Sequence, residues 1–311
     1  MAVRPLSHTR AVLLALFVTL LWSTSWVLIK IGLQDLPALT FAGLRYSLAF
    51  VILLGTVLAR RGLHGLIREV RALPPRLWPR LVVLGLLFYT ITQGAQFVAL
   101  DHAPAMTVSL LLNFSALVVA GLGVALLRER PTPLQWIGAA ISLAGAVLYF
   151  YPVDIPSGQM IGLAAAVTAM LATSFSSLLG RAVNRAAEVD PLVVTVISMG
   201  IGSIPLLAGG VLTQGLPALD LSGWLIVGWL AAVNTALAFT LWNRTLQVLP
   251  AVESSILNNT MLIQIAVLAW VFLGERISGQ GIAGLALAAV GTLIVQVYTP
   301  RRTAAAEEGA V

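Results

Sequence analysis

Trp22, Ser23, Trp26 and Lys30 recur at three- and four-residue spacing, which puts them on one face of a helix. Tyr89, Gln93 and Gln96 make a similar stripe. Asn234 and Trp242, eight residues apart and so about two turns, share a face of another. Asn113, Asn258, Asn259 and Gln264 add amides inside further apolar stretches. Side chains of these types hold a ligand without breaking its bonds. The faces of Trp22, Trp26, Tyr89 and Trp242 attract an ammonium, roughly 0.5–2 kcal/mol each. Gln93, Asn113, Asn234 and Asn259 supply hydrogen bonds to a carboxylate or to a neutral planar molecule. A buried amide without a partner costs several kcal/mol in hydrocarbon, so these groups are expected to face each other or a wet cavity. Asn113 and Asn259 have a second reading, as bonds between neighbouring helices, worth about 0.6 kcal/mol on average.

Three charged residues stand out as gating or charge candidates. Arg45 lies about eight positions into an apolar stretch, where insertion costs roughly 2.5–3.5 kcal/mol. Either it snorkels to the outer surface, or it turns inward to a partner such as Asp35 or a substrate carboxylate. Lys30, near the end of the first apolar stretch, divides between snorkelling and guarding an entrance. Glu253 is the acidic residue placed nearest to the membrane interior; none falls at mid-membrane. A buried carboxylate relay for protons is therefore not expected, which favours facilitated efflux or exchange.

Other chemistry finds no footing. Lys30 is the only lysine and no glycine-rich phosphate loop precedes it, so P-loop ATP hydrolysis is excluded. His8, His64 and His102 lack metal-ligand spacing and sit in tails or loops. Cysteine is absent, removing disulfide and thiolate chemistry. No catalytic residue, metal or cofactor is expected, and an intramembrane enzyme is the remote alternative.

The elements that position these side chains follow from composition. Of 311 residues, 59% are hydrophobic and 10% charged, and mean hydropathy is +0.96. Apolar runs long enough to cross a bilayer recur ten times, near 11–31, 38–59, 80–100, 104–127, 132–150, 159–179, 191–213, 222–243, 251–273 and 278–298. They are continuously apolar, which selects helices over a barrel. The Ala/Thr/Ser content of 159–179 suits packing or a cavity better than lipid. The first run exceeds a signal core and lacks a small-residue cleavage pattern, so it is not expected to be cleaved.

The net charge of +6 has a topological origin. Arg4, Arg10, Arg60, Arg61, Arg68, Arg71, Arg76, Arg80, Arg128, Arg130, Arg181, Arg185, Arg244, Arg301 and Arg302 fall on one side of the predicted membrane. Lys30 and Arg276 fall on the other. That is the positive-inside pattern, which makes both termini cytoplasmic and removes nucleic acid as a partner.

Residues 78–145 and 224–291 repeat one pattern at an offset of 146. Trp78 falls on Trp224, Pro104 on Pro250, Ser109 on Ser255, Asn113 on Asn259, Glu129 on Glu275, Gly138 on Gly284 and Gly145 on Gly291. Five spans per copy is an odd number, so the second copy crosses in the opposite sense. Inverted repeats build alternating gates around a central site. The expected fold is an all-α integral membrane protein of ten transmembrane helices in two inverted five-helix repeats. Its divisions are a cytoplasmic N-terminus (1–10), a first repeat (11–150), a second (159–298) and a disordered tail (299–311). The glycine faces of the fifth and tenth spans could pack together or against a second copy, leaving a homodimer open.

Several motifs resemble the EamA-type branch of the drug/metabolite transporter superfamily across nearly the whole chain. They are Trp22 to Trp26 with Lys30, Pro37 and Arg45; Pro104, Ser109 and Asn113 running to Glu129, Arg130, Trp136 and Gly138; and Leu273 to Arg276 with Gly284 and Gly291. The branch commonly has a proline after the asparagine of the fourth and ninth helices, where Ala116 and Leu262 stand here. The resemblance implies helices one to four and six to nine around a cavity, with five and ten peripheral. It also implies export of small metabolites, amino acids prominent among them, from a bacterial inner membrane. A neutral drug, vitamin, sugar derivative or nucleobase is the rival substrate.

Overall fold

The computed structural model describes residues 7–127, 132–152, 156–186, 190–249 and 251–297. Arg4, Arg128, Glu129, Arg130, Glu188, Pro250, Arg301, Arg302 and the tail from 299 lie outside them, as do the side chains of Arg181, Arg185 and Ser255. Among the described residues ten helices are long and apolar enough to cross a membrane, and no strand occurs. They are α1 (His8–Gly32), α2 (Ala38–Ala72), α3 (Pro75–His102), α4 (Ala105–Leu122), α5 (Pro133–Phe150), α6 (Ser157–Gly180), α7 (Pro191–Gln214), α8 (Leu221–Thr245), α9 (Ile256–Leu273) and α10 (Gly279–Val297). The two inverted repeats are α1–α5 and α6–α10.

Local chemistry sets the helix starts. Ser7 caps α1, Asp190 accepts from the Leu192 amide at 2.7 Å to open α7, and Asp220 accepts from Gly223 at 2.8 Å to open α8. Thr132 and Gln135 form a reciprocal capping box at the start of α5. The second helix runs thirteen residues beyond the predicted 59, because the chain resumes its helix after Gly62, whose φ of 69° only glycine adopts cheaply. Arg61, beside that break, pairs with both Glu69 and Asp190.

Packing follows the repeat. The self-related pairs α5–α10 and α2–α7 make the most extensive contacts, while α1 packs on α8 and α9 as α6 packs on α3 and α4. In α5–α10 the four repeat glycines meet backbone to backbone: a Cβ on Gly145 would lie 2.5 Å from the Ala288 nitrogen. The glycine faces are thus used within one chain. Leu143, Val147, Ile204 and Trp270 stay exposed on the outer wall, as lipid contact requires.

Two helices depart from α geometry at one register. α3 widens into a π-helical stretch at Leu86–Thr92 and α8 does so at Ala232–Leu237, the first residues 146 apart. Such widenings concentrate at functional sites. α4 also breaks, at Phe114 between Asn113 and Ser115, although no proline is there; the helix that contains α9 runs unbroken over Ala251–Leu273.

Candidate functional site

Widening α3 turns Phe88 and Tyr89 toward a cleft of about 200 Å³ between α3, α6, α7 and α8. Its other walls include Ser176 and Ser177 of α6, Thr195 and Ser198 of α7, and Phe239, Trp242 and Asn243 of α8. The cleft lies toward the end of the bundle where α6 stops and α7 starts. Among the described residues no carboxylate, lysine, arginine or histidine lines it.

Three of the hydroxyls share one habit. Ser176 donates to the Thr173 carbonyl at 3.0 Å, Thr195 to Pro191 at 2.9 Å and Ser198 to Val194 at 2.7 Å. With their protons committed to their own helix, the Ser176 and Thr195 oxygens offer lone pairs to whatever enters, while Ser198 also meets the Tyr89 side chain. Acceptor oxygens beside the rings of Phe88, Phe239 and Trp242 suit an ammonium or another N–H donor.

Of the predicted residues, the structure brings Tyr89 and Trp242 to the cleft. Trp22 backs its wall, with ring centroids 5.2 Å from Trp242 and 5.6 Å from Phe239. Trp26 is buried in the main core, away from the lining. Gln93 stands one turn beyond Tyr89 and accepts from the Tyr46 hydroxyl at 2.6 Å; the Tyr46 and Tyr89 rings are 5.8 Å apart. Asn234, fully buried in the α8 π-stretch, donates to the Leu21 carbonyl and to Thr24 Oγ1, while its own Oδ1 has no partner among the described residues.

Asn113 and Asn259 are elsewhere. Asn113 donates to Thr292 Oγ1 at 2.9 Å and Asn259 to the Ala289 carbonyl at 3.2 Å, so both fasten their helices to peripheral α10. Of their two readings, the interhelical bond describes what they do here. Glu253 bonds His8 at 2.7 Å on an exposed surface joining α9 to α1. Lys30 is half-buried and makes no ion pair among the described residues.

Arg45 neither snorkels nor meets Asp35. It is 5% exposed, donates from Nε to Thr235 Oγ1 at 3.1 Å, and lies 5.1 and 5.9 Å from the ring centres of Tyr46 and Phe97. Thr235 belongs to the α8 π-stretch and donates in turn to the Leu230 carbonyl five residues back, a bond that the widened geometry permits.

Sequence reasoning missed Ser176, Ser177, Thr195, Ser198, Phe239 and Asn243. The small-residue content of the sixth span was the one signal, and it pointed to a cavity without saying which serines face it. Glu275 was also missed as a cap: it accepts from the Ala105 and Met106 amides at 2.6 and 3.1 Å, closing α4 from the opposite repeat.

The sequence profile of the EamA-like transporter family matches residues 9–151 and 160–297. An "Uncharacterized transporter YvbV" of Bacillus subtilis (strain 168) is 26% identical, covering 97% of both chains. A "Probable amino-acid metabolite efflux pump" of Salmonella typhimurium is 28% identical over 94% of this chain and 96% of that one. An "Uncharacterized inner membrane transporter YedA" of Escherichia coli (strain K12) is 25% identical over 92% and 88%. One solved crystal structure shares the fold with a TM-score of 0.67 at 22% identity, covering 95% of this chain and all of that one.

Proposed function

This chain belongs to the EamA-like transporter family, and on that premise we propose that it exports small metabolites, foremost amino acids, across the bacterial inner membrane. The observation that carries the reading is the cleft between the repeats, where spent hydroxyls and aromatic faces suit the amino end of a zwitterion. Similarity to a relative named for amino-acid metabolite efflux supports the same class. The bias of arginines toward one side supports a cytoplasmic position for both termini, and with them the cleft, where a substrate for export would be collected. Rocking of the two five-helix repeats alternates access.

Glu253 is tied to His8 at the surface, and among the described residues no carboxylate lines the cleft, which supports exchange or facilitated efflux over tight proton coupling. The uncharged lining also favours the second reading, a neutral planar metabolite or drug. Counterflow in proteoliposomes tests both. Liposomes preloaded with mixed unlabelled amino acids are expected to take up single labelled ones saturably and independently of an imposed pH gradient. No uptake of any amino acid by folded protein overturns the first reading in favour of the second.

A further inference from the structure

Beyond Tyr89, away from the cleft, stands a charge with no counter-charge. Arg45 uses only Nε in a hydrogen bond; Nη1 and Nη2 make none among the described residues. No carboxylate pairs with it there. Arg45 is 5% exposed as a residue, and an unneutralised charge so placed is costly; such groups inside membranes are ordinarily paired or part of a pathway. Its planar fork matches a carboxylate in two parallel bonds. The Gln93 oxygen accepts from the Tyr46 hydroxyl, and its amide nitrogen makes no hydrogen bond among the described residues.

The path from the cleft is short in contacts. Tyr89 lines the cleft and packs on Tyr46, and the Arg45 guanidinium lies over the Tyr46 ring. We propose that Arg45, held by Thr235 in the α8 π-stretch, is the receptor for the carboxylate of the transported molecule, reached when the Tyr89 ring moves aside. The substrate class is then carboxylates with an apolar body: an amino acid would meet the hydroxyls of the cleft with its ammonium first and pass its carboxylate to Arg45 once Tyr89 has moved. Thr235 is a positioning residue, holding Nε and with it the plane of the fork. The inference deepens the amino-acid reading above and rests on it for the amino end only.

The test measures binding and counterflow of four probes by the full chain: leucine, 4-methylpentanoate, leucinol and leucinamide. The first two carry the carboxylate and the last two lack it. In the wild type, leucine and 4-methylpentanoate should bind about tenfold or more tightly than leucinol and leucinamide, the worth of a charge-assisted pair. Arg45→Gln should remove that preference while changing leucinol binding less than twofold, by the rough scale of a lost uniform contact. Arg45→Lys should restore part of it. Thr235→Val keeps the charge and should weaken leucine and 4-methylpentanoate by a few-fold while leaving leucinol and leucinamide unchanged, which covers the case in which Arg45→Gln does not fold.

Equal binding of all four probes, or equal losses for all of them in folded variants, overturns the proposal and leaves Arg45 as a tie between α2 and α8. Arg45-dependent binding of 4-methylpentanoate without leucine transport keeps the carboxylate receptor and overturns the amino-acid reading. No binding of any probe by folded wild-type protein overturns both.

Discussion

Single side chains divide into those that meet the cleft and those that fasten helices, and substitution separates them. Trp242→Ala removes a ring from the cleft and from the Trp22 stack, so leucine affinity should fall by roughly 0.5–2 kcal/mol, the range of a cation–π contact, with folded yield kept. Asn113→Leu should leave transport unchanged and lower the melting temperature slightly, an interhelical bond being worth about 0.6 kcal/mol. Parallel loss of flux and folded yield in both variants would reject the division. Asp220 gives a pH signature at the start of α8. The Gly223 amide and Ser222 hydroxyl hold its carboxylate below the usual range. Its folded pKa is depressed, so its contribution is complete above the unfolded value of about 3.9 and fades as pH falls through the folded one. The melting-temperature gap between wild type and Asp220→Ala should therefore be constant near neutrality and close in acid.

Elements are held by close backbone contact and by caps borrowed across the repeats. Gly145→Leu places a side chain against the Ala288 and Gly284 backbones, which cannot rotate away, so α5 must separate from α10. Overpacking of this kind costs about 1–3 kcal/mol or more, and size-exclusion chromatography should show loss of folded protein. Glu275→Ala strips two amides of their acceptor at the start of α4 and should lower stability by roughly 0.5–2 kcal/mol, with Glu275→Gln recovering part. Hydropathy located the spans well because lipid demands long apolar runs, yet it missed the α2 extension to Ala72, where Arg61, Arg68 and Arg71 break the apolar pattern while the helix continues. Rotational phase was harder to read. Past a π-stretch the helix gains a residue, so a stripe such as Tyr89, Gln93 and Gln96 no longer keeps one face: Tyr89 reaches the cleft and Gln93 only Tyr46.

At the scale of the molecule, the repeat made the ten-helix plan readable, because matching residues at one offset report matching places in two halves. It misled where the halves part company. Asn113 and Asn259 are equivalent in sequence, yet both bond to α10, since Thr292 stands where the fifth helix has Ala146. α4 breaks at Phe114 while α9 stays whole. The paired π-stretches resist that drift. Each begins at the same register, one holding Tyr89 beside the cleft and the other holding Thr235 beneath Arg45. Tyr89 and Thr235 are themselves 146 apart, so the two widenings bring equivalent positions of the repeat to opposite sides of Tyr46 and Arg45. One irregularity, used twice, thus gives the two halves matching points at which a helix can yield without the bundle coming apart.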